Sequence, residues 1–171
     1  MQGHILTSLG NLGSIYRNQG LWKLAEVMDV GVLRMRKIVL GEEHPDTLTS
    51  MHNLALTYRT QAQWKEAEAM YVEVLKMRKK MLGEENPDTL ASMANLALAY
   101  HKQARWKKAE ELQAQVLRMR KKVLGEEHPD TLASMANLAV FVRFRWYASV
   151  LLVLGPSFFV LVIAVVYSFF L

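Results

Sequence analysis

Apolar residues at 90, 93, 96, 97 and 100 (Leu90, Met93, Leu96, Ala97, Tyr100) follow the three-and-four spacing of one helix face. The segment HKQARW loosens that spacing. It resumes from Trp106 through Ala109, Leu112, Val116, Leu117, Val123 and Leu124. Asn86 has the side chain of a helix cap, Pro87 suits a first helical position, and Asp88 places an anion where the helix dipole favours one. Gly125 follows the second run as a stop. The pattern therefore predicts two helices, 87–102 and 106–124, joined by a short turn.

The same pattern recurs every 42 residues. Comparing 41–82 with 83–124 gives 27 identities in 42 positions, too many for anything but a repeat. The first copy is in register from about Leu6: Leu6, Asn11, Tyr16, Trp22, Ala25, Arg36 and Leu40 all return 42 residues on. Helices are thus expected at 5–18, 22–40, 45–60, 64–82, 87–102 and 106–124. They form units of about 1–40, 41–82 and 83–124, with a partial unit at 125–142. A unit of two helices cannot bury its apolar face alone, so the units must stack into a solenoid. His44 and His128 stand where Asn86 caps, and histidine is the weaker capping residue.

The motif NLAxxY of the first helix (Asn53, Leu54, Ala55 and Tyr58; Asn95, Leu96, Ala97 and Tyr100) is followed by a tryptophan opening the second helix (Trp22, Trp64, Trp106). An alanine lies three residues further on (Ala25, Ala67, Ala109). These units resemble tetratricopeptide repeats of the 42-residue kind, as found in kinesin light chains and in the repeat arrays of fungal NACHT- or NB-ARC-type receptors. The resemblance covers residues 5–140. It departs from the common 34-residue form, which closes its second helix with proline; Lys79 and Lys121 stand there instead, and the helix continues. The resemblance implies an all-α fold, a right-handed α-α superhelix whose first helices line a concave face. The small Ala55 and Ala97 should mark close helix approach, and Tyr58, Tyr100, Trp64 and Trp106 should fill the gaps between units.

Composition narrows the chemistry. The chain has no cysteine, which removes disulfides and thiolate metal sites. A formal charge of +5, two units of it from Arg143 and Arg145, is too weak to imply nucleic acid. The N-terminus has no basic-then-apolar run of signal-peptide type. No metal-binding helix motif, carboxylate pair or glycine-rich phosphate loop occurs, and no cofactor is expected. Ser50, Ser92 and Ser134 return at the repeat period, which argues for structure, since a catalytic serine is needed once. The basic runs at 34–37, 76–80 and 118–122 close helices and precede Glu-Glu pairs, so they read as solvated ridges.

One recurrent residue points to binding. Asn11, Asn53, Asn95 and Asn137 occupy the first helix of every copy, although asparagine is not favoured in helix interiors. In the families this chain resembles, an asparagine there can hold an extended peptide by its main chain, for an amide both donates and accepts. Arg17, Arg59 and His101 lie further along the same face and would favour a carboxylate on the ligand. The alternative is that each asparagine bonds within its own unit and spaces the helices.

After Val140 the repeat sequence is lost. Tyr147 to Leu171 is a run of 25 uncharged residues, a candidate membrane helix with Arg143 and Arg145 at its start, which would leave the repeats in the cytoplasm. The expected division is therefore a repeat array at 1–142 and a hydrophobic tail at 143–171. The leading expectation is a non-catalytic module binding a protein or peptide partner. A membrane tail-anchored adaptor, or a truncated piece of a larger receptor or kinesin-light-chain-like protein, is the alternative.

Overall fold

The computed structural model describes residues 2–146 and residue 149. Six helices follow one another: α1 (Gln2–Asn18), α2 (Trp22–Leu40), α3 (Pro45–Thr60), α4 (Trp64–Leu82), α5 (Pro87–Lys102) and α6 (Trp106–Leu124). A seventh, α7, spans residues 129–146. Each helix packs on the next in the chain, and α1 also touches α3, so the units stack as an all-α superhelix. Among the described residues there is no strand, and no helix is long and apolar enough to cross a membrane. The expected hydrophobic helix at 147–171 lies outside the described residues, save for Ser149.

Local chemistry sets the helix ends. Asn86 Oδ1 accepts from the Asp88 N–H at 2.9 Å, and Nδ1 of His44 and His128 accept from the Asp46 and Asp130 N–H groups, both at 3.1 Å. The histidines thus cap in the same manner as the asparagine. Gly41, Gly83 and Gly125 end the second helices at φ 89°, 85° and 92°, a region nearly closed to side chains. The turn inside each unit also needs one left-handed residue: Gly20 in the first unit, but Ala62 and Ala104 (φ 58° each) in the next two. There the N–H groups of Ala62 and Gln63 return to the carbonyls of Arg59 and Tyr58 at 3.1 and 2.9 Å, which closes the end of α3.

The core runs between units. Leu33 of α2, Leu48, Met51 and Leu54 of α3 and Val74 of α4 form one cluster; Ala55, Ala67, Tyr71, Leu96 and Ala99 form the next. Ala55 and Ala97 are fully buried, as close approach requires. The expected aromatic fillers are less enclosed: Trp64, Trp106, Tyr58 and Tyr100 are half-buried. Tyr71, by contrast, is fully enclosed.

The basic runs also divide. Their flanking lysines pair with loop glutamates: Lys79 with Glu84 (2.9 Å), Lys121 with Glu126 (3.1 Å), Lys80 with Glu43 at the start of its own unit (2.6 Å) and Lys122 likewise with Glu85. Their arginines Arg36, Arg78 and Arg120 are buried rather than solvated. Each crosses to the next unit, where Nη1 donates to the Oγ of Ser50, Ser92 or Ser134 at 2.8 Å. The same nitrogen meets the carbonyl of Asp46, Asp88 or Asp130 at 2.9–3.0 Å. The periodic serines are acceptors in this clamp.

The stacking continues past the point where the sequence diverges. Phe141, in the register of the buried Thr57 and Ala99, is 2% exposed and packs on Ala97 and Ala109. Gln61 bonds Glu26 at 2.9 Å, Gln103 bonds Glu68 at 2.7 Å, and Arg145, 42 residues further on, meets Glu110 at 2.5 Å. The expected boundary at 142/143 falls inside α7.

Two opposite backbone substitutions follow. Ala104→Gly releases a left-handed alanine costing about 1–2 kcal/mol, against about 0.4–1 kcal/mol of added unfolded-state entropy, so urea midpoints should show a gain of about 0–1.6 kcal/mol. Gly83→Ala should lose about 1–3 kcal/mol.

Candidate functional site

The first helices of adjacent units meet along a polar seam made by the asparagine and arginine positions. Arg59 Nη1 of α3 donates to Asn95 Oδ1 of α5 at 3.0 Å, and Asn95 Nδ2 donates to the Ala91 carbonyl of its own helix at 3.1 Å. Arg17 of α1 makes the equivalent reach, to the Asn53 carbonyl at 3.2 Å. Asn95 is thus held within the array. Among the described residues the Asn53 side-chain amide has no partner, and Asn11 and Asn137 are exposed.

The three cationic positions have different fates. Arg17 is enclosed: Nη1 donates to Asp29 Oδ2 at 3.0 Å and to Thr57 Oγ1 at 2.7 Å, and Nη2 to Ser14 Oγ at 2.9 Å. Thr57 in turn donates to Asp29 Oδ2 at 2.6 Å. Burial pushes the Asp29 carboxyl above its usual value, and Thr57 and Arg17 pull it back. Gly13 belongs to this network: a Cβ there would stand 2.7 Å from Asp29 Oδ1. Arg17 therefore joins two units and is not offered to a ligand.

His101 is also withdrawn. Its ring stacks on Phe141 at 4.3 Å and meets the edges of Trp106 at 4.9 Å and Phe144 at 5.1 Å. Both ring nitrogens are buried without partners, and burial, with Lys102 adding, holds the ring's pKa below its usual value. The sequence pattern missed this cluster because Phe141 and Phe144 lie beyond the recognisable repeat.

Arg59 differs from both. It is half-buried, and among the described residues its guanidinium meets no carboxylate. The position that holds Asp29 in the first unit holds Tyr71 in the second and Gln113 in the third, all buried. Arg59 thus has Tyr71 where Arg17 has an acid. The Tyr71 hydroxyl has no partner, and burial pushes it up to about 12. His52, tilted against Tyr71 at 5.8 Å, is lowered to about 4 by burial and by Arg78, Arg59 and Arg17, with Asp88 opposing. Among the described residues no three His, Cys, Asp or Glu side chains converge as a metal site would need.

Comparison with known proteins agrees with this architecture. The tetratricopeptide repeat pattern matches residues 4–80 and again 89–130. The chain belongs to the tetratricopeptide repeat family. Its repeats are similar to those of kinesin light chains: a crystal structure of a protein of Podosopora anserina assigned to that group, with nearly identical TPR-like repeats, superposes with a TM-score of 0.75 at 34% identity. That match covers 80% of this chain and 64% of the other, and a single-substitution variant of the same protein gives the same figures. BtubC (BKLC) from P. vanneervenii, at 21% identity, shares the fold, with a TM-score of 0.74 over 81% of this chain and 55% of its own. The chain thus spans less than two thirds of these structures. No curated protein matches it.

Two measurements test the electrostatics. Asp29→Ala leaves Arg17 enclosed without a counter-charge and should cost about 3–5 kcal/mol, whereas Lys80→Ala, at the exposed pair with Glu43, should cost under about 1 kcal/mol; urea midpoints separate them. His52 takes its proton near 6.5 when unfolded and near about 4 when folded. Between these values the unfolded chain binds more protons, so stability is full above about pH 6.5 and falls as pH drops toward 4. The His52 share should be about 2 kcal/mol between pH 7 and pH 5, and His52→Ala, the residue type of Ala94 in the next unit, should remove that share.

Proposed function

We propose that this chain is a non-catalytic binding module that holds an acidic peptide segment against the first-helix face of its central units. Repeats of this family serve in general as protein–protein interaction scaffolds. The observation that carries the finer reading is Arg59: a half-buried cation, oriented by Asn95, with no carboxylate of its own. The free amide of Asn53, about a turn and a half back on α3, can exchange two hydrogen bonds with an extended main chain. Of the seven positions expected to line the groove, Asn53 and Arg59 are the pair that the fold leaves available at its centre. Asn95 supports Arg59, Asn11 and Asn137 lie in the outer units, and Arg17 and His101 serve unit contacts.

An aspartate- and glutamate-rich peptide of about ten residues, titrated calorimetrically, tests this. Arg59→Ala should weaken binding by about 1.5–3 kcal/mol and Asn53→Ala by about 0.5–1.5, with folding stability nearly unchanged for Asn53→Ala. Asn95→Ala should lower both affinity and stability, because Arg59 loses its tether. Undiminished binding by Arg59→Ala would refute the reading.

A further inference from the structure

The outer face of α2 carries a feature that its sister helices lack. Leu24, Val27 and Ile38 are 48%, 63% and 70% exposed. In the register of the repeat they correspond to Glu66, Ala69 and Lys80 of α4 and to Lys108, Glu111 and Lys122 of α6. Those six residues are also exposed, so these positions face solvent even where neighbouring units are present. The apolar residues of α2 are therefore not core positions left bare by the absence of a neighbour. Leu21, where Gln63 and Arg105 stand in the other units, extends the stripe, and it too is exposed.

The surface is shaped as well as apolar. Two open cavities of about 360 and 550 Å³ share Lys23 and Gln61 and follow α2 from Gly20 to Arg34. That is roughly 20 Å of helix. Gly31 lies on the floor of the larger one, with nothing within 4 Å of where a Cβ would stand, so the backbone is bare at mid-stripe. Glu73 and Gln115 occupy that register elsewhere. Charge gives the complement. Lys23 and Arg34 border the floor, and neither forms an ion pair among the described residues. The carboxylates of α2 are engaged, Glu26 by Gln61 and Asp29 by Arg17. Where α4 offers Glu66 and Glu73, α2 offers Leu24 and Gly31, leaving an apolar groove whose lining sets the two cations Lys23 and Arg34 against the single carboxylate of Glu26, a net positive rim.

We propose that this groove docks a partner helix of about four turns, apolar along one stripe and flanked by carboxylates. A stripe of anchors one turn apart matches the way an amphipathic helix seats in a groove, and the cations at Lys23 and Arg34 select acidic flanks. The surface is separate from the first-helix face and does not depend on it.

The test uses the full chain fused to a soluble carrier. Two labelled helical peptides of about 18 residues share one leucine stripe and differ in flanks, glutamate in one and lysine in the other. The expected result is binding of the glutamate peptide at least about tenfold tighter than the lysine peptide. The variant Leu24→Glu/Val27→Ala/Ile38→Lys carries the residues α4 already folds with, and should lose at least about tenfold; Arg34→Glu should reverse the preference between peptides. Equal binding of the glutamate peptide by the triple variant overturns the proposal. So does partition of the unaltered chain, but not the triple variant, onto anionic phospholipid vesicles in place of peptide binding, which would make lipid the occupant. Self-association abolished by the triple variant, in sedimentation without peptide, would assign the groove to a second copy and equally overturn it.

Discussion

Taking a guanidinium out of water is costly unless oxygen acceptors replace the lost hydration. Arg36, Arg78 and Arg120 find theirs chiefly across the boundary between units, on a serine hydroxyl and on a carbonyl at the start of the next helix, with Thr7 of its own unit a further acceptor for Arg36. Much of the remaining structure is consistent with that requirement. The capped start of α3, α5 and α7 presents the aspartate carbonyl at a fixed height. The glycine stop brings the chain round so that the next helix begins beside the previous one. The hydrophobic clusters then close between helices the clamp already holds in register. Burial pulls the Arg78 and Arg120 guanidinium groups below their ordinary value, with Asp88 and Asp130 acting against it.

This explains why the sequence was legible in some respects and not in others. Helix spans, stops and the repeat period all express local spacing, and the six expected helices agree with those formed, α1 beginning somewhat earlier than expected. Burial of the arginines was hidden because an arginine among lysines at a helix end has the same local character whether it faces water or crosses to a serine fourteen residues on. Tyr71 was passed over because Asp29 and Gln113 occupy its register, so no periodic hydrophobic signal marks the position as enclosed. The continuation through Phe141 and Arg145 was hidden for the complementary reason: contacts persist there while residue identities do not.

The candidate site was half legible. Periodic asparagines drew attention to the first-helix face, but periodicity cannot tell a side chain spent on the array from one that is free. That distinction rests on single substitutions elsewhere. Arg17 is consumed because the second helix of its unit supplies Asp29 and its own helix makes room with Gly13. Arg59 stays unpaired because the same place holds Tyr71. His101 is enclosed because Phe141 and Phe144 arrive from α7. Three units built on one repeat pattern are joined by three different chemistries.

Those differences bear on how a chain of near-identical segments finds one order. A repeat that stacked on the wrong partner would still match its leucines and its arginine clamp, so hydrophobic contact alone discriminates poorly among arrangements. The Asp29 network is not so tolerant. Were the first unit seated directly on the third, Asp29 would face Ala99 in place of Thr57 and lose a hydroxyl donor in a buried setting. Shuffled orders thus leave the buried Asp29 carboxylate with Arg17 of its own unit but without the Thr57 hydroxyl that the native order supplies. The interior polar residues act as keys for sequence order, a task the repeated leucines and arginine clamps are too uniform to perform.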